Sequence, residues 1–128
     1  MIEYTLTMNS DQAKSCLKAV ELLMRLKINQ PEEIPFNLIL ELDDFSKRRD
    51  KARPLLEQAF RIMYEGKKTG EWKDSEWYRL YNLYQALRYQ IHQAEHPWTT
   101  GVDSYPPMRL TDEPIPACEY KKVKTIEV

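Results

Sequence analysis

The chain of 128 residues predicts an α+β, mainly helical fold: a three- or four-helix bundle with a small sheet built from the N-terminal strand and the C-terminal region. Three observations lead there. Several segments repeat apolar residues at spacings of three and four, which places them on one stripe of a helix. Residues 2–8 alternate apolar and polar side chains, the period of a half-buried strand. Pro97, Pro106, Pro107, Pro114 and Pro116 crowd the last third, where they forbid long helices and leave extended chain.

The elements follow in order. Ile2, Tyr4, Leu6 and Met8 fall on one side of the alternating segment, with Glu3, Thr5 and Thr7 on the other. Asn9-Ser10-Asp11 then offers short side-chain oxygens to the free N–H groups of a helix start. Ala13, Cys16, Leu17, Val20, Leu23, Met24 and Lys27 mark the stripe of that helix. Pro31-Glu32-Glu33 suits a further first turn, with proline at N1 and acids against the positive end of the dipole. Phe36, Ile39, Leu40 and Leu42 read as a short apolar helix or a buried strand.

The charge-dense stretch 43–53 reads as a connector, and Arg53-Pro54 as the start of a helix whose stripe is Leu55, Leu56, Ala59, Ile62 and Met63. Gly66 is placed to stop it, with Lys67–Gly70 as loop. Asp74 or Ser75 caps the last helix, whose core stripe is Trp77, Leu80, Tyr84, Leu87 and Ile91. Val102–Leu110 is expected to pair as an edge strand with residues 2–8, and 121–128 alternates weakly. The whole chain is expected to form one domain, with 1–95 holding the strand and helices and 96–128 a proline-rich extended region.

Composition narrows the function classes. Nineteen basic and twenty acidic side chains leave a formal net charge of −1, so no global field draws the chain to nucleic acid or to an acidic membrane. Cys16 and Cys118 are far apart and form no CxxC pair. The start Met1-Ile2-Glu3-Tyr4 has neither a basic n-region nor an apolar core, so no signal peptide is expected, and no run approaches a membrane span. These features together predict a cytoplasmic protein. Eight tyrosines and three tryptophans against three phenylalanines favour amphipathic contact area over a purely greasy core.

Two stretches carry a resemblance. One runs from Leu6 to Ala13 and on through Ala19-Val20-Glu21, Arg25, Ile28-Asn29-Gln30 and Pro31 to Ile34. The other is Leu80-Tyr81-Asn82-Leu83-Tyr84-Gln85-Ala86-Leu87-Arg88-Tyr89, with the His96-Pro97 turn and Asp112-Glu113-Pro114-Ile115-Pro116 beyond. Together they resemble a group of small uncharacterised proteins encoded by phages and prophages, over about half the chain. Asn29 stands where that group has glycine, and Gly101 stands alone where the group has a pair. The resemblance implies a phage or prophage origin, hence a bacterial host cytoplasm, and implies no activity.

Three constellations bear on chemistry. His92-Gln93-Ala94-Glu95-His96 reads H-x-x-E-H, the ligand order of the inverted zinc proteases, with His92, Glu95 and His96 as its members. His96 precedes Pro97, where a helix ends, so a helix terminus with histidines at the negative dipole end competes with the metal reading. Lys47, Arg48, Arg49, Lys51 and Arg53 form a basic run able to meet phosphates, but Asp43, Asp44 and Asp50 cancel part of its field and no aromatics interleave. Tyr78, Tyr81, Arg88 and Tyr89 give the last helix a polar-aromatic face suited to contact with a partner or a small ligand; the competing reading is a central helix covered on both sides. No nucleophile elbow, phosphate-binding loop or dinucleotide fingerprint occurs.

The expectation is therefore a non-catalytic, phage-type binding protein that takes a host or viral protein or a small ligand, with no cofactor and no membrane contact, and with self-association through the last helix as a companion expectation. A nucleic-acid accessory role through residues 47–53 is the alternative, and a small zinc hydrolase the distant one.

Overall fold

A computed structural model describes residues 1–28, 45–65 and 73–123. The expected element over Phe36–Leu42 with its Pro31 first turn, the Gly66 stop with its 67–70 loop, and most of the alternating 121–128 stretch lie outside them.

Every regular element among the described residues is helical. Three α-helices follow one another: α1 over Ser10–Lys27, α2 over Phe45–Met63 and α3 over Ser75–Glu95, with a short 3₁₀ turn at Val102–Ser104. This corrects the α+β expectation, because no strand and no sheet occur among the described residues. Ile2, Tyr4 and Leu6, the intended buried face, are 77, 91 and 76% exposed. A period-two pattern becomes a strand only when a neighbour accepts its backbone hydrogen bonds. The expected neighbour has Pro106 and Pro107, which lack the donors, and a 3₁₀ turn where it was to begin.

α1 starts where the cap residues predict. Asn9 Oδ1 accepts from the Gln12 N–H at 2.8 Å, and Gln12 Oε1 accepts from the Asn9 N–H at 3.0 Å. Two otherwise orphaned donors are thus satisfied reciprocally, as in a capping box. Val20 and Met24 are buried along the expected stripe and Ile28 just beyond it, whereas Leu23 is exposed. Asp74 caps α3, its Oδ1 accepting from the Trp77 N–H at 2.9 Å.

α2 differs from its sequence reading. It begins at Phe45, not at Pro54, so the charge-dense stretch is its first half and Pro54 lies inside it. Lys and Arg are good helix formers, and their charged heads reach water from an exposed helix. Pro54 removes one hydrogen bond to the carbonyl a turn earlier, a loss the helix tolerates. Of the expected stripe only Leu56 is half-buried; Leu55, Ile62 and Met63 are exposed.

The chain divides into two units, Met1–Leu17 with Asn82–Val128, and Lys18–Tyr81. In the first, the start of α1 meets the end of α3: Glu95 accepts from Lys14 Nζ at 2.8 Å and from Ser10 Oγ at 3.0 Å. In the second, Lys27 Nζ donates to Asp74 Oδ2 at 3.2 Å and to Glu76 Oε2 at 3.3 Å. There Trp77 is buried, with Tyr81 stacked on it at 5.2 Å and Tyr78 edge-on at 5.1 Å. The Tyr64 hydroxyl donates to the Leu26 carbonyl, and Phe60 stacks on Tyr64. No helix among the described residues is long and apolar enough to cross a membrane.

Candidate functional site

The second half of α3 buries polar side chains. Asn82, Gln85 and His92 are buried together with Ala86 and Leu87, while Leu80, Tyr84 and Ile91 of the expected core stripe are only half-buried. The proline-rich region explains two of the three. Its extended chain has backbone groups unpaired with any strand, and α3 side chains pair with them. Gln85 Oε1 accepts from the Met108 N–H at 3.0 Å, and Gln85 Nε2 donates to the Met108 carbonyl at 3.2 Å. One side-chain amide does here what a neighbouring strand would do.

His92 is held in the same way by the turn after α3. The Thr99 hydroxyl donates to the His96 carbonyl at 2.9 Å, so Thr99 Oγ1 is left as an acceptor. His92 Nε2 lies 2.8 Å from that oxygen and 3.0 Å from the Thr99 carbonyl, so Nε2 carries the hydrogen and donates to both. Nδ1 lies 3.2 Å from Gln93 Nε2, which donates to it. Both imidazole nitrogens are therefore engaged within the protein.

Beside these residues lies a shallow cleft of about 360 Å³, open to solvent. Leu17, Tyr84 and Ile91 supply its apolar walls. Arg88, His92, His96, Thr99 and Asp103 supply its polar ones. The Arg88 guanidinium sits 4.8 Å over the Tyr84 ring, and its side chain is 14% exposed. Its nearest anion is Asp103, whose Oδ1 is 3.6 Å from Nε, too long for a hydrogen bond. Arg88 Nε is buried with no hydrogen-bond partner. Asp103 is 65% exposed on its 3₁₀ turn, which follows Gly101 at φ 144°, a backbone conformation that side chains disfavour.

Each sequence-predicted site residue has a place. Of the aromatic face, Tyr78 and Tyr81 pack on Trp77, Arg88 lines the cleft, and Tyr89 is half-buried. His92, Glu95 and His96 diverge. His92 binds Thr99 and Glu95 binds Lys14 and Ser10, while His96 is exposed, edge-on to Trp98. Among the described residues no group of three His, Cys, Asp or Glu side chains is placed to hold a metal ion. Lys47, Arg48, Arg49, Lys51 and Arg53 are all exposed on α2, with Arg49 3.6 Å from Asp50 and Arg53 3.4 Å from Glu57.

Charge-assisted contacts shift two pairs. The Lys14 hydrogen bond holds the Glu95 carboxyl below its ordinary range against the opposing effect of burial, with Ser10 adding to it, and the same bond raises Lys14. The Trp77 N–H lowers the Asp74 carboxyl, helped by Lys27. Burial pulls Lys27 down, but its bonds to Asp74 and Glu76 prevail and leave it raised. The sequence singled out Arg88 but not Asp103, Thr99 or the clasping role of Gln85. Thr99 and Asp103 come from the proline-rich region, part of which the sequence reads as an edge strand for residues 2–8, so no pattern ties them to α3. Comparison with protein families, with curated proteins and with solved structures finds no match to this chain.

Proposed function

We propose that this protein is a non-catalytic binding protein whose ligand is a small molecule seated in the cleft beside Arg88. The observation that carries this reading is a largely buried guanidinium at the wall of a cleft whose Nε has no hydrogen-bond partner among the described residues. Burying a charged donor without a partner is costly, and a ligand acceptor removes that cost. The apolar walls and the volume suit a small organic molecule. Binding is favoured over proton transfer through His92, because both nitrogens of that buried imidazole are occupied. A phage or prophage setting, and with it a bacterial cytoplasm, rests on the sequence resemblance.

A thermal-shift screen of a small-metabolite library against wild type and Arg88→Met tests the reading. A ligand present at a hundredfold its Kd adds about 2.7 kcal/mol, or about 5–10 °C in a domain of this size. Hits of that order in wild type, absent in Arg88→Met, are the expected result. A library that shifts neither protein, or shifts both alike, overturns the proposal.

A further inference from the structure

The charge inventory of the cleft narrows the ligand class, and the narrowing rests on the binding reading above. Both ring nitrogens of His92 are engaged within the protein, so neither is left for a ligand. Arg88 is the one arginine or lysine in the cleft lining, and Asp103 already opposes it, while His96, also in the lining, is exposed to solvent. A dianion would meet one guanidinium and one repelling carboxylate. A monoanion would exchange with Asp103 at constant charge. From this we infer that the cleft takes a small organic monocarboxylate, whose carboxylate pairs with Arg88 in place of Asp103 and whose apolar body lies against Leu17, Tyr84 and Ile91.

The geometry fits each half of that ligand. A guanidinium presents its donors in a planar fork that matches a carboxylate, giving two parallel bonds where Asp103 makes none. The Tyr84 ring beneath Arg88 holds the guanidinium from one side. Asp103 leaves readily because it is mostly solvated and stands 3.6 Å away. The same residue then serves as a counterion that keeps the arginine compensated until the ligand arrives.

NMR titration of the full chain decides the class. The probes are benzoate and hexanoate, their neutral amides benzamide and hexanamide, and phenyl phosphate as the dianion. The signals followed are the Arg88 Nε–Hε and the backbone amides of Thr99 and Asp103. Both carboxylates are expected to shift these signals saturably, with each amide at least about tenfold weaker, as a charge-assisted pair requires. Asp103→Asn is expected to tighten benzoate about two- to fivefold, the worth of a solvent-exposed ion pair. Arg88→Met is expected to lose about tenfold or more. Amides that bind as tightly as the acids overturn the monocarboxylate class while leaving a ligand cleft in place. Phenyl phosphate binding tighter than benzoate does the same. Asp103→Asn that weakens benzoate overturns the exchange of counterions, and it keeps the test decisive should Arg88→Met unfold. Cleft signals unmoved by every probe overturn the class outright, and the thermal-shift library then judges the broader reading separately.

Discussion

Gln85→Met isolates the clasp between α3 and the proline-rich region. Methionine keeps the length and burial of the side chain but removes both hydrogen bonds to Met108. Each is an ordinary neutral bond worth about 1 kcal/mol net. Met108 as a residue is 64% exposed, so its freed backbone groups reach water and no further desolvation cost is added. The loss is therefore about 2 kcal/mol, concentrated in the opening of the extended region from α3 rather than in global unfolding. That energy corresponds to about a thirtyfold rise in the opening equilibrium. Native-state hydrogen exchange reads it directly: the Met108 amide should exchange about thirtyfold faster, with the α3 amides of Ala86 and Leu87 changed little. Met108 exchange within about threefold of wild type, or equal acceleration across α3, would refute the reasoning.

Leu87→Ala truncates a buried α3 side chain and should cost about 2–5 kcal/mol in urea denaturation. A loss under about 1 kcal/mol would place Leu87 outside the packed core. Pro54→Ala restores a backbone donor at an exposed position inside α2 and should stabilise by up to about 3 kcal/mol; circular-dichroism melts showing a lowered Tm would contradict a continuous helix there. The Glu95 carboxyl is held below its ordinary value of 4.5, so its contribution is present above that pH and is lost as pH falls through the lower, folded-state value. Glu95→Gln should therefore flatten the acid limb of a stability-versus-pH curve below about 4.5, and an unchanged limb counts against the Lys14–Glu95–Ser10 contact.

The helices were legible because their signals are local. Asn9, of the expected Asn9-Ser10-Asp11 caps, and Asp74, of Asp74 or Ser75, stand at the helix starts, and Val20 and Met24 are buried where a helical stripe places them. The α2 start was misread because a dense charge run followed by Arg53-Pro54 looks like a connector ending in an N1 proline, whereas Lys and Arg at those positions propagate a solvated helix through the proline. The sheet failed for a tertiary reason. Alternation in residues 2–8 records a preference that only a pairing partner realises, and Pro106 and Pro107 disqualify the segment that was to supply it.

The site was half legible. Arg88 stood out as a cation among aromatics on α3, and Tyr84 beneath it follows from the spacing of four. Gln85 and His92 did not read as buried, since a polar residue buries only when distant backbone satisfies it, and nothing in the sequence pairs Met108 or Thr99 with α3. Asp103 likewise reaches Arg88 through the Gly101 turn rather than through any spacing along a helix.

A small ligand held in the cleft against Arg88 should travel with the purified chain. Native mass spectrometry of the chain purified from the cells that produce it, wild type beside Arg88→Met, tests it most directly. A population of wild-type protein should carry one small organic adduct, released on collisional activation and missing from Arg88→Met. An adduct retained by both proteins, or bare chain mass in both, would contradict it.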